Sequence, residues 1–263
     1  PPTVRKICDR HFGIGSDGIL VRESNAGHDE FCLRIFNPDG SEAEKSGNGL
    51  RIFARYLWDR RLIGEAPFTV TTRGGVVCCQ VTEHGHTVSV EMGQVRFGSQ
   101  DIPVLGPARD VLRETLVVDG QTMEYSAATI GNPHCVIHQQ HVSERQARSL
   151  GPLVESEDRF PNRTNVQFME VLDRRNIRVE IWERGAGYTL ASGSSSCAAA
   201  AVAKKLGLCD SSITVHMPGG PLAIEIDGDF QVRMTGPVTK VAEGYLSEEL
   251  LGANQMLHIR RNL

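Results

Sequence analysis

The sequence predicts a mixed α/β (α+β) fold built from one unit used twice. Three observations carry that prediction. Two small-residue loops each open a helix, two glycine pairs each join two strands, and two alternating strands each end near a Met and a Gly. The first loop, Ser46-Gly47-Asn48-Gly49, leads into 50–57, whose apolar residues recur at helical spacing. The second runs from Gly185-Ala186-Gly187 to Ser192-Gly193-Ser194-Ser195-Ser196-Cys197 and opens an alanine-rich segment of strong helix formers. Ser46 and Ser192 lie 146 positions apart, while Gly74-Gly75 and Gly219-Gly220 lie 145 apart. The alternating strands at 88–93 and 231–236 complete the set. Landmarks kept in step over such a span point to duplication.

Each element then follows in order. Residues 3–11 read as helical and run into Phe12-Gly13-Ile14-Gly15-Ser16-Asp17-Gly18, a glycine-punctuated turn before a strand. That turn lacks the strand-then-helix setting a nucleotide site needs. A strand at 31–36 meets the turn Asn37-Pro38-Asp39-Gly40, the first serine-led helix follows, and strands occupy 68–72, 76–81 and 88–93. The polar, proline-containing loop to Gly106 is the best boundary, giving expected domains at 1–95 plus 238–263 and at 96–237. Residues 110–116 read as partly helical. A strand at 122–130 ends in Gly131-Asn132-Pro133-His134-Cys135, and a helix at 142–150 takes Ser143 as N-cap. Strands at 166–171 and 177–182 deliver Glu183-Arg184, and 213–217 and 222–226 flank the second glycine pair.

Composition narrows the function. With 263 residues, 40% hydrophobic and 23% charged, the chain can bury one large or two medium cores. Net charge is −4 and like charges do not cluster, so neither nucleic acid nor an anionic membrane surface is an expected partner. No apolar stretch nears the roughly 18 residues that span a bilayer, and no signal peptide is read, so the expected location is cytoplasmic. The seven cysteines are scattered without zinc-type spacing and read as reduced, mostly buried thiols. Their spacing gives no expectation of a metal site.

Asn37-Pro38-Asp39-Gly40-Ser41, Ser46-Gly47-Asn48-Gly49-Leu50-Arg51, Gly131-Asn132-Pro133-His134, Asn165, Glu183-Arg184-Gly185-Ala186-Gly187 and Met234-Thr235-Gly236-Pro237 together resemble diaminopimelate epimerase over nearly the whole chain. The resemblance implies two pseudo-symmetric domains, each a mostly antiparallel sheet wrapped around a central helix. It implies inversion of an amino-acid α-carbon without pyridoxal phosphate or metal, in lysine and cell-wall precursor synthesis, with a homodimer left open. Inverting a carbon needs a base on one face and an acid on the other, which a two-domain cleft suits. Helix N-termini can hold the α-carboxylate and stabilise charge that develops on it as the proton leaves. By resemblance Gly47, Asn48, Gly193 and Ser194 form that cradle. Asn37, Asn132, Asn165, Glu183 and Arg184 hold the remaining polar groups, and His134 and Glu183 tune the two apex residues.

Family members carry a cysteine at each apex, whereas this chain has Ser46 and Ser192. A thiol ionises near pKa ~8.5 and an alcohol much closer to ~15.7, so a serine base costs up to about 10 kcal/mol of driving force. Three readings accommodate this: cysteines replaced on purpose to trap a substrate complex, a divergent isomerase, or a non-catalytic amino-acid binder. The divergent isomerase would draw its acid or base from Asp39, Glu44, Lys45, His134 or Glu183; the rival class is the related double-bond isomerase of phenazine biosynthesis, which uses a carboxylate. Cys197 reads as a buried thiol. The family's opening strand and its Gly-Asn-Asp-Phe loop are not found in this sequence, and Gly18 stands where some relatives bind substrate through a glutamine.

Overall fold

A computed structural model describes residues 2–23 and 31–251. It divides into two compact units, Pro1–Val90 with Pro237–Leu263, and Glu91–Gly236. Of the expected domain segment 238–263, residues 252–263 lie outside the described part.

The first unit contains α1 (Pro2–Cys8), β1 (Ile19–Glu23), β2 (Phe31–Phe36), β3 (Glu42–Ala43), α2 (Gly47–Asp59), β4 (Phe68–Thr72), β5 (Gly75–Thr82) and β6 (Thr87–Gln94), whose last residues pass into the second unit. Strand order is β1-β2-β4-β5-β6, with the short β3 against β2. Every pairing is antiparallel except β2–β4, which is parallel because α2 carries the chain back between them. The α2 helix buries Leu50, Phe53, Ala54 and Leu57, a stripe at i, i+3, i+4 and i+7, while Ile52 stays 53% and Tyr56 40% exposed.

The second unit contains β7 (Glu114–Val118), β8 (Gln121–Thr129), β9 (Pro133–Gln139), α3 (Glu144–Glu155), β10 (Asn165–Asp173), β11 (Asn176–Glu183), β12 (Gly187–Thr189), α4 (Gly193–Lys205), β13 (Ser212–His216), β14 (Leu222–Ile226) and β15 (Gln231–Pro237). The order β15-β14-β13-β11-β10-β9-β8-β7 is antiparallel apart from β13–β11 and β10–β9, and β12 pairs β11. The α4 helix packs against β8, β9, β10, β11, β13 and β14, and Ser195 to Ala203 are all buried. A final short helix, α5 (Glu248–Leu251), belongs to the first unit.

The duplication is visible strand by strand. The run β1-β2-β3-α2-β4-β5-β6 repeats as β10-β11-β12-α4-β13-β14-β15, with the same antiparallel neighbour, the same short strand before the helix and the same parallel crossover after it. Both helices have 13 residues. The glycine pairs owe their spacing to a shared contact. Gly74 donates its N–H to the Glu44 carbonyl at 2.9 Å, and Gly219 donates to the Leu190 carbonyl at 2.7 Å, in each case two residues before the helix-capping serine. A Cβ on Gly74 would sit 3.0 Å from the Glu44 oxygen, a tight contact, and one on Gly219 would sit 2.8 Å from the Ala191 Cβ, so glycine makes the approach without displacing a neighbour.

Two expectations change. The first helix ends at Cys8 rather than near His11, because the backbone turns at 10–13 with Asp9 Oδ1 accepting from the N–H groups of His11 and Phe12. Residues 110–116 are not helical: Glu114–Val118 is a strand zipped antiparallel to β8, with Leu116 and Val118 facing the core. The pairing outweighs the helix-forming composition of that run.

Candidate active site

Each repeated helix begins at a serine whose backbone is extended. Ser46 has φ −144° and ψ 118°; Ser192 has φ −142° and ψ 125°. An N-cap of this shape turns the first-turn N–H groups outward and leaves their partial positive charge available to an anion. The two starts differ in detail. Ser46 Oγ accepts from the Gly49 N–H at 3.1 Å, whereas Ser192 Oγ makes no bond to its first turn. Behind Ser46, Gly47 is buried and Asn48 half-buried, with Asn48 Oδ1 accepting from the Arg51 guanidinium at 2.9 Å. Behind Ser192, Gly193 is buried and Ser194 half-buried.

In the first unit the exposed turn Asn37-Pro38-Asp39-Gly40 follows β2. Asn37 Nδ2 donates to Ser41 Oγ at 3.0 Å. The side-chain and backbone donors of Ser41 hold the Asp39 carboxyl below the usual aspartate range, so Asp39 serves as the organiser of this turn.

The second unit surrounds the start of α4 with buried polar groups. Asn132 Nδ2 donates to Ser194 Oγ at 3.4 Å, and Asn132 Oδ1 lies 3.0 Å from His134 Nε2. His134 is fully buried, with its Nδ1 3.1 Å from Gln167 Nε2, which also donates to Ser195 Oγ at 3.0 Å. Burial, helped by the Arg184 charge, holds this imidazole neutral by drawing its pKa down to about 3.

Glu183 and Arg184 stand at the end of β11, where the chain turns into β12. Two buried side chains fix that turn. Asn165 Oδ1 accepts from the Arg184 N–H at 3.0 Å while its Nδ2 donates to the Pro133 carbonyl at 2.8 Å. Glu155, at the end of α3, accepts from the Gly185 N–H, Arg163 and the Trp182 indole at 2.7 to 3.0 Å. The Glu183 side chain is half-buried, and the Arg184 guanidinium donates to the Asn162 carbonyl at 3.0 Å.

The structure thus joins Asn132, His134 and Ser194 in one hydrogen-bonded chain at the start of α4, and ties Asn165 to Arg184 directly. Asn37, Ser46, Gly47 and Asn48 belong to the first unit. Gln167, Ser195 and Glu155 did not stand out in the sequence. A glutamine in a strand and a glutamate late in a helix carry no signal until their buried partners are known. Cys197 is fully buried, and among the described residues no group of three or more His, Cys, Asp or Glu could hold a metal ion.

Known proteins resemble this chain in sequence and in fold. The family model for diaminopimelate epimerase matches residues 1–98 and 126–241. The chain is 57% identical over 259 residues to diaminopimelate epimerase 2 of a Nostoc species, covering 98% of this chain and 91% of that protein. It is 43% identical over 246 residues to the diaminopimelate epimerase of Stutzerimonas stutzeri, covering 93% and 88%. Among solved structures, a hydroxyproline epimerase from Agrobacterium vitis superposes with a TM-score of 0.68 at 14% identity, covering 97% of this chain and 86% of that one. A Bacillus anthracis phenazine biosynthesis protein of the PhzF family superposes at 0.60 and 16% identity, covering 86% and 84%, and shares the fold. Motifs, duplicated topology and identity all lead to one conclusion: the chain belongs to the diaminopimelate epimerase family.

Proposed function

We propose that this protein is an isomerase of the diaminopimelate epimerase type. Its framework is that of an enzyme interconverting LL- and meso-diaminopimelate by two-base proton transfer at the α-carbon. The observation that carries the reading is the pair of serine-capped helix starts with matched backbone geometry, in a chain of this family. In this reading acid and base are assigned to Ser46 and Ser192, and the first-turn N–H groups behind each suit a carboxylate. His134, Glu183, Asn37, Asn132, Asn165 and Arg184 complete the assignment as groups that tune the apices or hold the substrate. The work would be done in the cytoplasm, on a small amino acid, without cofactor.

Chemistry then separates binding from turnover. A serine at a helix start is a poor base at neutral pH, whereas a cysteine there would have its thiolate stabilised by the helix terminus. The full chain should bind diaminopimelate and leave its α-proton in place. The double variant Ser46→Cys/Ser192→Cys should exchange that proton for deuterium in D₂O, read by mass spectrometry or NMR. Absence of exchange in the double variant, with binding retained, overturns the epimerase reading in favour of a binder. Exchange confined to an unsaturated acid overturns it in favour of a double-bond isomerase.

A further inference from the structure

We propose that Gln167 is a positioning residue for this site, fixing His134 as the neutral Nε2–H tautomer so that Asn132 presents its amide N–H₂, and not its oxygen, to the start of α4. The inference rests on the function proposed above only in taking an anionic group as the occupant of that helix start.

Ser195, Gln167, His134, Asn132 and Ser194 form a closed circuit that leaves the first turn of α4 at Ser195 and returns to it at Ser194. The inner members, Gln167, His134 and Ser195, are fully buried, so bulk solvent does not reach them to supply a missing donor or acceptor. A neutral imidazole donates at one nitrogen and accepts at the other, and a carboxamide donates at one end and accepts at the other. The polarity of the circuit is therefore all or none. In one sense Gln167 Nε2 donates to Nδ1, Nε2–H donates to Asn132 Oδ1, and Asn132 Nδ2 faces Ser194. In the other sense every bond reverses and Asn132 turns its oxygen toward Ser194.

One observation and the proposed anionic occupant choose the first sense. It leaves one acceptor of the circuit unpaired, Gln167 Oε1. The reverse would leave an N–H₂ with two donors at that place, a larger desolvation cost. A helix N-terminus also attracts anions, and a carboxylate there meets a donor from Asn132 in the first sense but a repelling oxygen in the second. Within the circuit His134 has both ring nitrogens engaged and orients Asn132, which stands between it and Ser194.

The test needs no turnover. In ¹⁵N-labelled full chain, long-range ¹H–¹⁵N correlation of the histidine rings should show His134 with a bare Nδ1 and a protonated Nε2, assigned by its disappearance in His134→Gln. Gln167→Leu should mix the two tautomers and weaken meso-diaminopimelate binding about tenfold by calorimetry. The isosteric Gln167→Glu should draw a proton to Nδ1 and weaken binding further, circular dichroism confirming that each variant folds. A protonated Nδ1 in the parent chain overturns the proposal, even if diaminopimelate binds. An unchanged tautomer in Gln167→Glu overturns it too. A parent chain that shows the Nε2–H tautomer but does not bind diaminopimelate supports the orienting circuit while removing the proposed substrate.

Discussion

The α2 and α4 helices are the same device in two surroundings. Both have 13 residues, a serine N-cap with dihedrals that agree within 7°, and a glycine N–H holding the carbonyl two residues before the serine. Their bodies diverge. The α4 helix is packed against six strands and is buried around its circumference, while α2 shows one face to the outside. At matched positions, offset by 146, Ile52 and Tyr56 of α2 are exposed where Ala198 and Val202 of α4 are buried. Backbone and cap are therefore set by what the helix start must do, and side-chain size by what wraps the helix.

Exchanging residues at the matched positions should give the largest split. Ala198→Ile pushes a branched side chain into a fully packed helix face and should cost about 3 kcal/mol in urea unfolding. Ile52→Ala trims an exposed side chain and should change stability by no more than about 0.5 kcal/mol. Equal costs would mean that α2 is as enclosed as α4, and the contrast would vanish.

A second difference is electrostatic. The α4 start is tied to a buried neutral histidine, whereas the described histidines of the first unit, His11, His84 and His86, are exposed. Unfolded, His134 takes up a proton near pH 6.5; folded, it resists until about 3. Between those values the unfolded chain binds more protons, so stability rises with pH and is lost as pH falls through the window. The slope from this one group approaches about 1.4 kcal/mol per pH unit. Unfolding midpoints of parent and His134→Gln measured from pH 7 to 4 should diverge by that slope, the variant being the flatter. Parallel curves would mean that His134 is already charged in the folded protein.

These contrasts explain what the sequence could disclose. The repeat was legible because its punctuation is chemical: a serine at the helix start, and glycines that ease the close backbone approach at Gly74 and Gly219. The strand Glu114–Val118 was hidden because Leu112, Arg113, Glu114 and Leu116 favour a helix over 110–116, and pairing with β8 overrides them. The strand Pro133–Gln139 was hidden because Gly131-Asn132-Pro133 marks the end of the preceding strand, and only pairing with β8 and β10 shows that the chain is again extended from Pro133. The motif residues Asn132, Asn165 and Arg184 could be named from the sequence. The groups that hold them, Gln167 and Glu155, could not, because their importance lies in partners 27 to 33 positions away.

The finest contrast lies in the serines themselves. Ser46 Oγ accepts from the Gly49 N–H and so satisfies one of the donors that a helix start leaves open, while Ser192 Oγ makes no such bond. Ser46→Ala should therefore cost about 1 kcal/mol of stability, the ordinary worth of a serine cap. Ser192→Ala should cost less than about 0.5 kcal/mol, because its hydroxyl supports nothing in its own helix. If both hydroxyls serve the site, the two variants should nonetheless weaken diaminopimelate binding alike. A Ser192→Ala variant as destabilised as Ser46→Ala, with binding intact, would make Ser192 a cap and leave one apex without its proposed role. Near-neutral stability with weakened binding would instead mark Ser192 as a residue kept for its ligand and not for its fold.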